Sequence, residues 1–171
     1  MTAHAHNGTI SPPWTELDEQ ARPEDKSKYM KAALAAQATR TEIYHEFDDA
    51  LNDHLAGTIS EAQMNQIITI AQEGFQDISL DVSRQQRLLA AVNESIFAGL
   101  LTRLQQLEKD NLERTVRLYT LRIRARDDSD ISYDEDIAIC IQSRNQTLDA
   151  INEVLADARA EAAEAVDTED A

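Results

Sequence analysis

The sequence predicts an all-α protein, an elongated antiparallel bundle or coiled coil of about four long helices. Three observations lead to this fold class. The 171 residues include only four Gly and three Pro, which is too few for the frequent turns of β-sheet folds. Aromatic residues make up only 5% of the chain. Apolar residues recur at alternating steps of three and four, the spacing of one helix face, over segments of about 30 residues.

Residues 1–23 are predicted to form a disordered or peptide-like segment, because the adjacent Pro12 and Pro13 favour an extended backbone. Trp14 and Leu17 follow as a Trp-x-x-Leu sequence beside acidic residues. This tetrapeptide is a candidate docking peptide for a groove on a partner protein. The alternative, of equal weight, is that the side chains of Trp14 and Leu17 fold back onto the bundle as a cap.

The first helix is predicted from Asp25 to about His54. Its apolar stripe is thinned in the middle by Gln37, Arg40 and Thr41. Gly57 is a natural end for this helix, since glycine enters the left-handed conformation without a steric penalty.

The second helix begins with a predicted capping box, in which Ser60 and Gln63 satisfy each other's backbone amides. Its steps of four and three run through Met64, Ile68, Ala71, Phe75, Ile78, Val82, Gln85 and Leu89. The fourth helix repeats the pattern through Ile137, Ile141, Arg144, Leu148, Ile151, Leu155, Ala158, Ala162 and Ala165. A 3.5-residue repeat of this kind is typical of a coiled-coil seam.

The third helix is predicted to start at a cap formed by Asn93 or Ser95 and to end near Arg126. Its C-terminal half carries two apolar faces and is expected to pack between two neighbours. A second capping box is predicted at Ser132 and Glu135. The chain therefore divides into the peptide-like segment 1–23, a three-helix coiled-coil region 24–126, an acidic helix 127–166 and a tail 167–171.

The charge of the chain excludes several classes of function. With 32 acidic against 16 basic residues, the net charge is −16, which disfavours direct binding to nucleic acid or to an anionic membrane. We expect no transmembrane segment, because no apolar run approaches about 18 residues, and no signal peptide, because residues 1–4 lack the basic and apolar regions of one. The single cysteine, Cys140, excludes an internal disulfide framework and fits a reducing compartment.

No arrangement of residues typical of a catalytic, metal or cofactor site is found in the sequence. Glu42 and His45 form one Glu-x-x-His spacing, whereas a di-iron bundle requires two. The acidic run that starts at Asp127 lacks the Gly and Glu of a calcium-binding loop, and glycine-rich phosphate loops are missing. We therefore predict that the protein is not an enzyme, and an enzyme with a cryptic site is the alternative with the least support.

Arginine residues are concentrated near the end of the third helix, where Arg114, Arg117 and Arg124 share one helical face. Such a patch could bind an acidic protein or nucleic acid, and the acidic residues that follow it could mask it. The alternative is that these arginines and the next acidic residues only complement two helix dipoles.

Three segments of the chain resemble a known protein family in order and approximate spacing. They are Arg40, Tyr44 and Phe47 in the first helix, residues 75–79 with Val82 and Leu88 in the second, and residues 104–112 with Thr115 and Leu118 in the third. The pattern resembles the Rex1-B family, named as required for excision in DNA repair, over about residues 34–126.

The resemblance implies a nuclear role in excision repair of damaged DNA, and it implies no catalytic residue. Combined with the net charge of −16, it favours an accessory that acts through protein partners bound at its helix seams, as a homo- or hetero-oligomer. The alternative is a structural coiled-coil subunit of a large multiprotein assembly unrelated to repair.

Overall fold

A computed structural model describes residues 20–169, with side chains up to residue 166. A single 3₁₀ turn, Pro23–Asp25, leads into four long helices. They are α1 (Lys26–Ala56), α2 (Glu61–Ala91), α3 (Ser95–Asp127) and α4 (Asp134–Glu169). No β-strand occurs in this part of the chain, and the predicted all-α helical bundle is confirmed.

Short connections make consecutive helices antiparallel neighbours. α1 packs mainly against α2, and α3 mainly against α4. The two pairs are joined along α2 and α3, where Gln86 Nε2 donates to Thr102 Oγ1 at 2.8 Å, and α4 closes the bundle against α1. The fourth helix therefore belongs to the same bundle as the other three.

The first helix–helix connection forms as the sequence predicts. Gly57 ends α1 in the left-handed conformation at φ 77°, and its N–H donates to the carbonyls at the end of the helix. Ser60 Oγ then accepts from the Gln63 amide, while the Gln63 side chain accepts from the Ser60 amide. The capping box at the start of α2 is confirmed.

The caps predicted for α3 and α4 are wrong. The residue before α3 is Glu94, which makes no side-chain capping bond. Asn93 instead adopts φ 61° next to the last turn of α2, because asparagine tolerates the left-handed conformation that ends a helix. At α4, the hydroxyl of Ser132 accepts from the Asp134 amide rather than forming a box with Glu135.

The seams of α2 and α4 are largely buried inside the chain itself. On α1, the three-and-four spacing continues without a break through Gln37 and Arg40, which are buried although the sequence suggested that they interrupt the apolar stripe. The buried seam of α1 runs through Met30, Ala33, Gln37, Arg40, Tyr44, Phe47 and Leu51. Polar side chains therefore occupy core positions in the middle of the bundle.

Candidate functional site

A surface groove runs between the middle of α1 and the middle of α2. It has a volume of about 370 Å³. Its lining consists of apolar side chains with one acidic exception. The lining residues are Ile43, Glu46, Phe47, Ala50, Ile67, Ile70, Ala71 and Gly74. We call this surface the α1–α2 groove.

Ile70 is the most exposed large apolar residue among those described, with 68% of its surface accessible. Isolated exposed apolar residues are common on soluble proteins, but Ile70 adjoins the apolar lining of a concave surface. Burial of such a side chain by a partner contributes about 1.5–3 kcal/mol. The α1–α2 groove can therefore contribute binding energy to a protein–protein contact.

Gly74 determines how closely the two helices approach in the groove. A Cβ atom at this position would lie 2.7 Å from Cδ1 of Ile43, which is closer than van der Waals contact. The absence of a side chain at position 74 allows Ile43 to lie directly over α2. The shape of the groove at this end consequently depends on a single glycine.

Acidic residues surround the α1–α2 groove. Between Arg40 and Arg84 the chain contains no Lys or Arg. The same stretch contains the acids Glu42, Glu46, Asp48, Asp49, Asp53, Glu61, Glu73, Asp77 and Asp81. Of these, Asp48 is paired with Arg144 of α4 at 2.7 Å. The remaining acids give the groove and its surroundings a strongly negative charge.

A network of polar side chains crosses the interior of the bundle. Its members come from the first three helices and separate the apolar cluster around Phe97 from the cluster around Phe75. The network consists of Gln37, Arg40, Ser79, Gln105, Glu108 and Asn111. We call it the polar layer.

Arg40 is the central donor of the polar layer and is only 2% exposed. Its Nη1 donates to Gln37 Oε1 at 3.1 Å, and its Nη2 donates to Ser79 Oγ at 2.9 Å and to Gln105 Oε1 at 3.0 Å. Burial lowers the pKa of the guanidinium, while the nearby charge of Glu108 opposes that effect. Arg40 therefore connects α1, α2 and α3 through charge-assisted hydrogen bonds.

Glu108 is the acidic member of the polar layer and is only 6% exposed. Gln37 Nε2 donates to its Oε1, while its Oε2 has no hydrogen-bond partner. Burial raises the pKa of the Glu108 carboxyl, and the charge of Arg40 and the hydrogen bond from Gln37 only partly oppose the rise. The shift favours the neutral, protonated carboxyl.

Asn111 is the other member of the polar layer with an unsatisfied oxygen. It is only 1% exposed, and its Oδ1 has no partner. A buried polar side chain at a seam position is the kind of residue that fixes the register between helices.

The predicted arginine patch on α3 is only partly available for binding. Arg114 Nε donates to Ser143 Oγ of α4 at 2.8 Å, and its Nη1 lies 3.8 Å from Asp110. Arg117 and Arg124 are exposed. Arg114 therefore takes part in packing α3 against α4, and its binding role and that of the other two arginines stay a prediction. The candidate docking residues Trp14 and Leu17 lie outside the described residues.

The described part of the chain contains neither a grouping of metal-ligating side chains nor a membrane-spanning helix. In that part of the chain, no group of three or more His, Cys, Asp or Glu side chains is placed to hold a metal ion. None of the described helices is both long and apolar enough to cross a membrane. Cys140 is buried, and its thiol donates to the carbonyl of Arg114 at 3.5 Å.

Sequence reasoning missed both the groove and the polar layer. The signal for the layer was present, since Gln37 and Arg40 continue the seam spacing of α1 and Glu108 and Asn111 continue that of α3. For the groove, the available signal was the absence of Lys and Arg between residues 40 and 84.

Comparison with known proteins supports the resemblance seen in the sequence. The family model described as DNA repair REX1-B matches residues 28–122. A curated relative, the heterochromatin silencing protein rss1 of Schizosaccharomyces pombe, is 33% identical over 90 residues. The match covers 53% of this chain and 66% of the relative. No solved structure is significantly similar to the chain.

Proposed function

Because the chain belongs to the DNA repair REX1-B family, we propose that it is a non-enzymatic helical interaction factor, an accessory in excision repair that acts through protein partners. Residues 28–122 include α2, nearly all of α1 and most of α3, and so cover the whole lining of the α1–α2 groove. The segment that matches the family thus contains both the groove and the polar layer.

The observation that carries this proposal is the α1–α2 groove. It is concave, about 370 Å³ in volume, lined almost entirely by apolar side chains, and it leaves Ile70 open to solvent. Apolar grooves between two helices are surfaces on which partner helices dock. The protein partner is therefore assigned to this surface, rather than to the seams, which the chain itself largely buries.

A non-enzymatic role is supported by the bonding of the buried polar residues. A buried carboxyl with a raised pKa, such as Glu108, is a type of group that general acids use. Here, however, the groups around it bond to one another across three helices. Arg40, Gln37 and Ser79 are all engaged in holding α1, α2 and α3 together, which is a structural role.

The family and the curated relative support a location in the nucleus. Excision repair acts on DNA, and the relative is named for heterochromatin silencing. The relative's name also favours a second candidate function, an interaction factor of chromatin. Both functions require a protein-binding surface and differ in the partner.

Survival after ultraviolet irradiation tests the proposed function. Cells would carry, as their only copy, the wild-type chain, a deletion, Ile70→Gln or the control Ile96→Gln. Ile96 lies at the start of α3, outside the groove, and is 62% exposed, similar to Ile70. We expect the deletion and Ile70→Gln to sensitise the cells at equal protein levels, and Ile96→Gln to match wild type.

Two results would contradict the proposal. Cells with the deletion that survive as well as wild type have no need of this chain in excision repair, and a loss of silencing at a heterochromatic reporter in the same cells would favour the chromatin function. If the deletion sensitises the cells and Ile70→Gln does not, the groove is not the surface through which the protein acts.

A further inference from the structure

We propose that the α1–α2 groove binds a positively charged amphipathic helix of a partner protein. This inference rests on the proposed function, because it names the chemistry of the partner that the interaction factor binds. The apolar lining of the groove and the acidic residues around it support the inference separately.

The dimensions of the groove fit one face of a helix. Its lining extends over residues 43–50 of α1 and 67–74 of α2. Each stretch is about 10 Å long, at 1.5 Å per residue, or two helical turns. A helix with apolar residues at positions i, i+3 or i+4, and i+7 presents an apolar face of the same length. Two or three apolar side chains of the partner would then cover Ile70 and its neighbours.

Acidic side chains are placed on both sides of this apolar strip. On α1, Glu46 lines the groove, and Glu42 and Asp49 are exposed one turn before and after it. On α2, Glu73 and Asp77 are exposed three and seven residues after Ile70, on the same side of the helix. Lys or Arg residues along both edges of a docked helix would meet these carboxylates.

The basic residues that flank this acidic stretch in sequence do not neutralise the acids of the groove. Arg40, the basic residue that precedes this stretch, is buried and bonded within the polar layer. The next basic residue in sequence, Arg84, is ten residues beyond the end of the groove lining on α2. An acidic helix would therefore be repelled by the acidic residues beside the groove, and a neutral helix would gain no electrostatic attraction from them.

Charge also disfavours the other occupants that the chain offers. Residues 1–19 include Trp14 and Leu17 but carry three acids, Glu16, Asp18 and Glu19, and no Lys or Arg. A second copy docked groove to groove would place acidic residues opposite acidic residues. Nucleic acid is excluded by the same negative charge.

Fluorescence anisotropy with three labelled peptides of about 18 residues, five helical turns, tests the inference on the full chain. The first peptide has a leucine face flanked by lysines, the second replaces each lysine with glutamate, and the third shuffles the first so that no apolar face remains. We expect the first peptide to bind at low salt, and the second and third to bind at least about tenfold more weakly.

Neutral substitutions separate the apolar contribution from charge. Ile70→Gln is expected to weaken binding of the leucine–lysine peptide about tenfold or more, because it removes a large apolar contact. The control Ile96→Gln, at a similarly exposed position on α3, should leave the affinity unchanged. Both positions are on the surface, so circular dichroism should show the same helix content and melting temperature as wild type.

The charge contribution is tested by a double variant, Glu46→Gln with Glu73→Gln. We expect several-fold weaker binding and a shallower dependence of affinity on salt. The matched control is Glu153→Gln with Asp157→Asn, which removes two exposed acids of α4 and gives the same net charge. At about 0.15 M salt, where charges more than about 8 Å apart are largely screened, the control should bind as wild type does.

Several results would overturn the inference. Equal binding of the shuffled peptide, equal binding of the glutamate peptide, or equal loss in the two double variants would each show that no specific basic helix is recognised. A rise in affinity in Trp14→Ala would assign the groove to the chain's own first residues. Dimerisation that Ile70→Gln abolishes, seen by light scattering, would assign it to a second copy.

The survival assay keeps this inference distinct from the proposed function. If Ile70→Gln cells are sensitive to ultraviolet light but the leucine–lysine peptide does not bind, the interaction function stands and the basic helix is wrong. If the peptide binds as expected and the cells with the deletion remain resistant, the basic helix stands and the repair function is wrong.

Discussion

The buried side chains of Arg40 and Glu108 are connected through the side-chain amide of Gln37. Arg40 Nη1 donates to Gln37 Oε1 at 3.1 Å, and Gln37 Nε2 donates to Glu108 Oε1. Gln37 and Arg40 are one turn apart on α1, whereas Glu108 lies 71 residues from Gln37, on α3. The amide therefore couples two helices that are diagonal in the bundle and parallel in direction.

The polar layer is expected to contribute strongly to stability only while it is complete. Arg40→Met leaves Gln37 Oε1 and Gln105 Oε1 without their buried donor and Glu108 without a nearby positive charge, and should lower the free energy of unfolding by about 3 kcal/mol or more. The triple variant Gln37→Leu, Arg40→Met and Glu108→Leu should recover most of that loss, because apolar side chains of similar volume replace the whole network. Urea unfolding followed by circular dichroism measures both values.

A triple variant that is less stable than Arg40→Met would contradict this view of the layer. It would mean that the energies of the polar residues are additive and that each is individually favourable. Ser79 and Gln105 stay unchanged and lose the bond from Arg40 in both variants. The loss of these two bonds therefore does not contribute to the difference in stability between the variants.

Glu108 should make stability depend on pH in a defined direction. Its folded pKa is raised above the ordinary value of 4.5, mainly by burial, with Arg40 opposing the shift and Tyr44 facing the same carboxyl. Below pH 4.5 the carboxyl is protonated in both folded and unfolded chains. As the pH rises from there, the unfolded chain loses its proton first, so the stabilisation is lost as the pH passes the folded pKa.

The variant Glu108→Gln separates this effect from the titration of the other acids. It keeps the shape of the side chain and cannot ionise, so its stability relative to wild type should increase as the pH rises above 4.5 and then level off. Urea unfolding of both proteins at a series of pH values gives the difference. A difference that stays constant with pH would contradict the raised pKa.

The helices were predictable because their signals are local. Ser60, Gln63 and Gly57 mark the end of α1 and the start of α2 within seven residues, and the structure contains the capping box and the left-handed glycine. The cap predicted at Asn93 or Ser95 failed for a local reason too. Asparagine is favourable both before a helix and just after one, and the neighbouring residues do not distinguish the two.

The groove and the polar layer were not predictable, because both depend on contacts between distant segments. Ile68 lies on the predicted seam of α2 and Ile70 lies off it, but only the position of α1 shows that Ile70 borders a concave apolar surface. In the sequence, Gln37 and Arg40 look like an interruption of the apolar stripe. Only the structure shows that Glu108 of α3 lies close enough to be their partner inside the bundle. A seam with polar residues at core positions has the same spacing as an apolar one but requires partners from another helix.

Exposed and buried positions of the bundle should respond differently to a charged substitution. Ile78 of α2 is buried in the core of the bundle, so Ile78→Asp should unfold the bundle by placing an unpaired charge there. Arg117 is exposed, so Arg117→Glu should change the free energy of unfolding by no more than about 0.5 kcal/mol. Thermal melts followed by circular dichroism distinguish the two.

The same Arg117→Glu variant tests the arginine patch predicted from the sequence. If Arg117 binds an acidic partner, the variant should weaken that partner's binding while the chain stays folded. Substantial melting of Arg117→Glu would instead make the patch a structural ion-pair network and would remove the binding role predicted for Arg114, Arg117 and Arg124.

Two helical glycines should respond differently to alanine. At Gly99 in α3, no atom lies within 4 Å of the position that a Cβ would take, so Gly99→Ala should raise the free energy of unfolding by about 0.8–1 kcal/mol through helix propensity alone. At Gly74 the new Cβ would lie 2.7 Å from Ile43 Cδ1, and that side chain has to move. Gly74→Ala should therefore raise the free energy of unfolding by less than Gly99→Ala does. Urea unfolding of both variants measures the difference.

The displacement of Ile43 also links this glycine to binding. Ile43 lines the α1–α2 groove, so Gly74→Ala should change the shape of the groove and weaken the leucine–lysine peptide without altering any charge. Gly99→Ala is the control, because it adds the same methyl group far from the groove. Equal affinity in the two variants, measured by anisotropy, would show that docked helices do not reach the end of the groove at Gly74.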